Sequence, residues 1–292
     1  HKVTIYTYKF PSSTNQFIDG VLYKRIGLAW LTPKLGQLLF QFLLPWHVMR
    51  ANFDMWFESF TPPFASAFLP FFTRKPVVGI THFLDAEEKS KEYHLPFTWI
   101  QNLGIPRYKY IITLTNSQKK KIQKISPRTG VAIIPNATDI VPAREVLTKP
   151  GNYILYIGRI EIAQKGLDLL LQSFEKVITK QKLQLYIAGS GSDVDEKKLV
   201  ELIRERHLQN SIKILGRVEG KKKTDLIRNA QCLVVPSRFE GQSLTIIESI
   251  VLGTPIVCFD IEGMKWLVQS ISLKAKPFDI DTFATHILKV TS

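Results

Sequence analysis

From Asn152 onward the chain alternates short runs of β-branched and apolar residues with longer segments whose apolar positions recur at helical spacing, the signature of repeated βαβ units. Tyr153–Ile157 and residues 183–188, 212–215, 232–235 and 255–259 read as strands. Between them, Leu167–Ile178 places Leu167, Leu170, Leu171, Phe174 and Ile178 on one stripe, and residues 196–206, 221–230 and 243–252 read as further helices. Strands that are apolar along their whole length must be covered on both faces. This predicts a parallel sheet wound by right-handed crossovers into a Rossmann-like domain. The first half is less regular, with strands predicted near residues 3–7, 53–57, 76–80, 110–114 and 131–134 and helices in the gaps. Residues 136–151, with Pro142, Pro150 and little apolar periodicity, read as an interdomain linker. The expectation is an α/β chain of two Rossmann-like domains, residues 1–148 and 149–292, since 292 residues exceed what one core usually serves.

With 45% hydrophobic and 22% charged residues, the composition is that of an ordinary globular protein. The net charge of +14 adds a field that attracts nucleotide phosphates, acidic membrane surfaces and polyanions alike. The basic residues are dispersed and carry no recognition motif, so nucleic acid is not an expected partner. Cys232 and Cys258 both sit inside apolar runs and read as small buried hydrophobes of a reducing, cytoplasmic setting; no Cys/His spacing suggests a metal. The most apolar stretch of the first half, residues 28–49, is broken by Pro33, Lys34, Gln37, Gln41 and Pro45 and makes a poor membrane span. The chain opens directly on a strand, with no signal peptide and no initiator Met, as a segment of a longer protein would.

Two segments could carry chemistry. Ser237-Arg238-Phe239-Glu240-Gly241-Gln242-Ser243-Leu244 follows a buried strand and opens a helix, where backbone N–H groups lack partners and the dipole is positive. Gly241 lets a ligand approach the backbone, and the amides of Gln242, Ser243 and Leu244 could cradle a phosphate. Glu240 lies just before that helix and Glu248 about two turns inside it, among Ile246, Ile247, Ile250 and Val251, where a charge needs a partner. The second segment, Gly158-Arg159-Ile160-Glu161 with Lys165-Gly166, follows the domain's first strand. Strand ends of open α/β sheets bind ligands, so Arg159 and Lys165 would face the same diphosphate, a fork-shaped guanidinium beside a point-charge ammonium.

Gly158-Arg159 with Lys165-Gly166, Ala188-Gly189-Ser190-Gly191, Gly216-Arg217-Val218, and Glu240 with Glu248 occur in an order that resembles the retaining GT-B glycosyltransferases of family 4. The resemblance implies a GT-B fold, two Rossmann-like domains with parallel sheets facing a central cleft. It implies that Arg159 and Lys165 bind the donor's diphosphate, offsetting charge that grows on the leaving group. It further implies that Glu240 contacts the donor sugar and Glu248 the ribose hydroxyls, with Gly189, Arg217 and Val218 bordering the nucleotide. Pro135-Asn136-Ala137-Thr138-Asp139 resembles the segment that begins the interdomain crossing. Thr81-His82-Phe83-Leu84-Asp85 resembles the loop whose histidine, here His82, faces the donor sugar, and Thr115-Asn116-Ser117 resembles a pre-helix segment in which Asn116 or Ser117 could cap. Family members begin with an additional strand and a glycine-rich loop and end with a helix crossing back. This chain begins at what resembles their second strand, and Ser292 falls before such a helix.

The expected reaction is transfer of a sugar from a nucleotide-diphosphate donor to a hydroxyl of a glycan or lipid-linked glycan, with retention and with neither metal nor cofactor. A non-catalytic nucleotide-sugar-binding homologue, or a subunit of a larger transferase, is the alternative. Replacing Lys165 by Ala is expected to weaken turnover with little change in thermal stability. Residues 64–75 join Phe68, Leu69, Phe71 and Phe72 to Arg74 and Lys75, and residues 118–124 add Lys119, Lys120, Lys121 and Lys124. Both suggest peripheral contact with an anionic membrane, at its inner face.

Overall fold

The computed structural model describes residues 2–60, 68–82, 84, 86, 87, 90, 94–141 and 151–292. The chain forms two compact units, His1–Ile134 and Pro135–Ser292. The boundary expected at 148/149 and most of the expected linker lie outside the described residues.

In the first unit, β1 (Val3–Tyr8), β2 (Gln16–Ile18) and β3 (Val21–Ile26) form a sheet of their own in the order β1-β3-β2. The sequence reading missed this sheet and treated residues 3–7 as part of the main one. Its signal is Asp19-Gly20, both at positive φ (48° and 81°), a two-residue hairpin turn that folds β2 back on β3 and leaves the other edge of β3 for β1. After α1 (Pro33–Arg50) come β4 (Trp56–Phe60), β5 (Val77–Thr81), α2 (Phe97–Gly104), β6 (Tyr110–Thr113), α3 (Asn116–Ile125) and β7 (Gly130–Ile133). The four strands pair in parallel in sequence order. Leu44 and Val48 of α1, Val77, Tyr108, Ile111 and Ile122 are buried together in the core of this unit.

The second unit is regular. Its elements are β8 (Tyr153–Ile157), α4 (Ile162–Lys165), α5 (Leu167–Ile178), β9 (Gln184–Ala188), α6 (Asp193–Glu205) and β10 (Ile212–Gly216). They continue with α7 (Gly220–Asn229), β11 (Leu233–Val235), α8 (Leu244–Val251), β12 (Ile256–Phe259), β13 (Ser272–Ala275) and α9 (Ile280–Thr291). All six strands are parallel in the order β10-β9-β8-β11-β12-β13, which is the doubly wound Rossmann topology. The apolar stripe of α5 is fully buried at Leu167, Leu170, Leu171 and Phe174, as its spacing predicts. The closing pair, β13 and α9, had no counterpart in the reading. Asp279 nonetheless caps α9 by accepting from the Thr282 amide at 3.0 Å, and Phe283, Ala284 and Ile287 are buried at helical spacing.

Cys232 and Cys258 are free and buried. Burial pushes both thiols from an ordinary 9.0 up to about 12. The folded state therefore holds these protons where the unfolded chain would release them, so their contribution to stability is full below pH 9.0 and declines above it. A native chain should leave both thiols unmodified by a disulfide reagent at neutral pH, and a denaturant should expose both at once. Reaction of either thiol in the folded protein would show that the sheet core is open.

Candidate functional site

The chain leaves β8 toward β9 and β10 on one side and returns to β11 on the other, so β8 and β11 are neighbours whose following loops diverge. Such a switch point is where an open α/β sheet leaves a crevice for a ligand. Both loops singled out in the sequence open there.

Lys165 ends the short helix α4, and its Nζ lies 2.5 Å from Oε1 of Glu240, in the loop after β11; only 17% and 10% of these side chains remain exposed. The Ser237 hydroxyl donates to the same oxygen at 2.8 Å. The two loops meet because of Gly166, which sits at φ 65° between α4 and α5; a Cβ there would collide with the Pro236 carbonyl. Arg238 fastens the contact. Its amide donates to the Gln164 carbonyl at 2.9 Å, and its guanidinium forks onto both oxygens of Asp168 at 2.9 and 2.7 Å and onto the Ala163 carbonyl. On the far side Gly263 backs against Glu240, where a Cβ would strike the Glu240 carbonyl. A Gly166→Ala chain should lose roughly 2–4 kcal/mol, because a left-handed residue and a backbone collision combine, and Lys165 should be displaced from Glu240. Unchanged denaturant unfolding would contradict this packing.

Arg159 projects from the loop after β8, 69% exposed, with its Nη1 3.2 Å from Glu161. Below it the Tyr156 hydroxyl donates to the Arg159 carbonyl at 2.6 Å. Burial drives that phenol far above its usual range, with the Glu240 and Glu161 charges adding to the rise and Arg159 opposing it. Arg159, Glu161 and Glu240 thus act on one buried phenol, which fixes the loop as a permanent donor. Gly189 and Gly191 lie on the other side of this loop, where a Cβ would collide with the carbonyls of Gly158 and Ile160 respectively. Gly189 shapes the crevice through close backbone packing on Gly158.

Past Gly241, α8 opens at Ser243 with no side chain capping its amides; Ser243 turns its hydroxyl to Thr245 at 2.8 Å, and Leu244 is half exposed. Gln242 uses its side chain to accept from the Asn136 amide at 2.7 Å, while the Asn136 carboxamide donates to the Gln242 carbonyl at 2.9 Å. Glu248 is buried and has the partner its surroundings demand: Lys223 of α7, 2.7 Å from Oε1. Its Oε2 is buried without a hydrogen-bond partner. Arg217 is exposed and paired with Glu219 at 2.6 Å, whereas the Val218 side chain joins the core, leaving only its backbone available to a base.

The structure therefore brings Lys165, Glu240, Arg159 and the amide end of α8 to one rim, with Glu248 two turns along. Sequence reading missed Ser237, Tyr156, Lys223 and the Arg238–Asp168 fork. Lys223 sits in a run of three lysines that looks like a solvated face, and only the burial of Glu248 marks it out. In the first unit, His82 is exposed just past β5, and its carbonyl accepts from the Gln118 carboxamide at 3.2 Å. The cap of α3 is Thr115, which accepts from the Gln118 amide at 3.3 Å; Asn116 and Ser117, the residues expected to cap, lie inside the helix. Phe83 and Asp85 lie outside the described residues.

The fold is that of a GT-B protein, and the chain belongs to the family 4, or group 1, glycosyltransferases. Residues 1–141 match the family described as Glycosyltransferase Family 4 and residues 151–292 the family described as Glycosyl transferases group 1. Among curated relatives, the O-antigen chain mannosyltransferase B of Escherichia coli is 31% identical over 139 residues, 47% of this chain and 36% of that protein. The GDP-mannose:cellobiosyl-diphosphopolyprenol alpha-mannosyltransferase of Xanthomonas campestris is 26% identical over 64% of this chain and 50% of its own length. The matches thus span about a third to a half of these relatives. Among solved structures, the sucrose-phosphate synthase of Thermosynechococcus elongatus superposes with a TM-score of 0.81 at 15% identity, over 99% of this chain and 79% of that one. A glycosyltransferase of Rickettsia africae gives 0.65 at 17% identity, over 92% and 74%.

Proposed function

We propose that this chain binds a nucleotide-diphosphate sugar at the β8–β11 rim and transfers its hexose, with retention, to a hydroxyl of a glycan or lipid-linked glycan. The observation that carries the reading is the Lys165–Glu240 pair, held beside the uncapped end of α8, the helix whose Glu248 keeps one buried oxygen unpartnered. In this reading the bond between the anomeric carbon and the β-phosphate oxygen breaks, the electron pair leaves with the diphosphate, the acceptor hydroxyl oxygen bonds to that carbon from the same face, and its proton passes to the departing diphosphate. Lys165, Arg159 and the α8 amides stabilise that growing charge, and because Glu240, itself held by the Ser237 hydroxyl, already fixes the Lys165 ammonium, little reorganisation is needed as the charge forms. The unpartnered Glu248 oxygen accepts from a ribose hydroxyl. The names of the E. coli and Xanthomonas relatives make mannosyl donors the first to test.

The test is a screen of uridine, guanosine and adenosine diphosphate sugars for thermal stabilisation, followed by nucleoside diphosphate release with a candidate acceptor. One base should stabilise the chain, and turnover should give a product with the donor's anomeric configuration. Stabilisation without turnover would make it a binding homologue, and no stabilisation by any donor would remove the proposal.

A further inference from the structure

We propose that Asn136 is a positioning residue for the diphosphate: it holds the peptide between Gln242 and Ser243 so that the amides opening α8 stay available to the donor. The inference rests on the donor reading above and names what keeps that end of the helix open.

The side chains best placed to close it are those of Gln242 and Ser243, since an oxygen on either could accept from the first amides of the helix. Neither does so. Ser243 is extended, at φ −69° and ψ 127°, and its hydroxyl pairs with that of Thr245 at 2.8 Å. The Gln242 side-chain oxygen is taken by the Asn136 amide, which donates to it at 2.7 Å and so keeps it from standing where a phosphate oxygen would.

The other half of the clamp sets a direction. The Asn136 carboxamide donates to the Gln242 carbonyl at 2.9 Å. A trans peptide points its carbonyl and the following N–H opposite ways, so the Ser243 amide is turned away from Asn136 and left for a ligand. One residue thus uses its backbone donor and its side-chain donor on a partner 106 positions away. Pro135, directly before it, fixes one backbone dihedral, which lowers the chain entropy lost in holding the clamp. Farther along α8 the buried Glu248 oxygen lacks a partner, an independent mark of a ligand that the chain itself does not supply. The apolar and basic stretch of residues 64–75 carries less: Leu69 is fully buried, Arg107 covers the Phe71 ring at 4.6 Å, and residues 61–67 lie outside the described residues.

Asn136→Ala tests the assignment, because it removes the carboxamide and keeps the backbone donor to Gln242. Native and variant chains are titrated with the diphosphates and monophosphates of uridine, guanosine and adenosine, and circular dichroism shows whether the variant folds. The variant should lose about fivefold or more of the native preference for diphosphate over monophosphate, the scale of one hydrogen bond to a charged group, while its monophosphate affinity stays within about twofold. A merely structural role would weaken both nucleotides alike. The native chain gives a second measurement that needs no variant: the Asn136 amide should resist hydrogen exchange before any nucleotide is added, and the diphosphate, but not the nucleoside, should slow exchange in residues 242–246. A preference that survives in Asn136→Ala, an equal loss for both nucleotides, or an Asn136 amide that exchanges freely would each overturn the assignment and leave the donor reading standing. A native chain with no preference for the diphosphate would overturn the donor reading, and this inference with it.

Discussion

A Lys165→Ala chain should lose about 100- to 1,000-fold in turnover, the scale of removing one preorganised donor from a developing oxyanion. It should also lose stability, which sequence reasoning did not anticipate. The ammonium shares a site only 10–17% exposed with Glu240, and its removal leaves that carboxylate with the Ser237 hydroxyl alone. Stranding a mostly buried charge costs about 2–3 kcal/mol here, somewhat under the figure for a fully buried pair. In a unit of this size that is a fall of roughly 5–10 °C in Tm. The Lys165→Ala, Glu240→Gln double variant should recover part of the stability and none of the turnover, because the two residues are coupled. Equal Tm values for native and Lys165→Ala proteins would mean that the pair is not formed in solution.

The second large effect concerns Glu248. Lys223 occupies one of its oxygens and leaves the other buried without a partner, a deficit that a ribose hydroxyl reaching it would relieve. Glu248→Ala should weaken nucleotide affinity by about 10- to 100-fold, the worth of a hydrogen bond to a charged group. Native protein should discriminate against a deoxyribose nucleotide by a similar factor, and Glu248→Ala should bind ribose and deoxyribose forms alike. Lys223→Met should instead act chiefly on stability, by about 2 kcal/mol, since it strands the Glu248 carboxylate. Ribose discrimination that persists in Glu248→Ala would detach this residue from the sugar.

The second unit was legible because its strands are apolar throughout and its helices amphipathic, so period alone separated them. Nearly every element lies within a few residues of its expected place. The closing β13 and α9 were missed although Asp279 and the stripe of Phe283 and Ile287 carried the usual signals. The first unit was harder, since its small separate sheet turns on one Asp-Gly pair and its strands are short and partly exposed. Gly166 and Gly189 were visible as site markers, yet their physical role was not, and Gly263 was not marked at all. Gly166, Gly189 and Gly263 each admit a backbone carbonyl where a side chain would stand; Gly166 joins the Lys165 loop to the loop after β11, Gly189 packs on Gly158 and Gly263 on Glu240. Such close approaches join residues far apart in sequence, as do the Lys223–Glu248 and Arg238–Asp168 pairs, and no local period reports them.

The central claim is that the β8–β11 rim grips a diphosphate. Calorimetric titration of native and Lys165→Ala chains with a nucleoside diphosphate and the matching monophosphate tests it most directly. Native protein should prefer the diphosphate by at least about tenfold, as a second phosphate facing Lys165 and the α8 amides requires, and Lys165→Ala should erase most of that preference while still binding the nucleoside. Equal affinity of native protein for the two nucleotides, or a preference untouched by the substitution, would contradict the account.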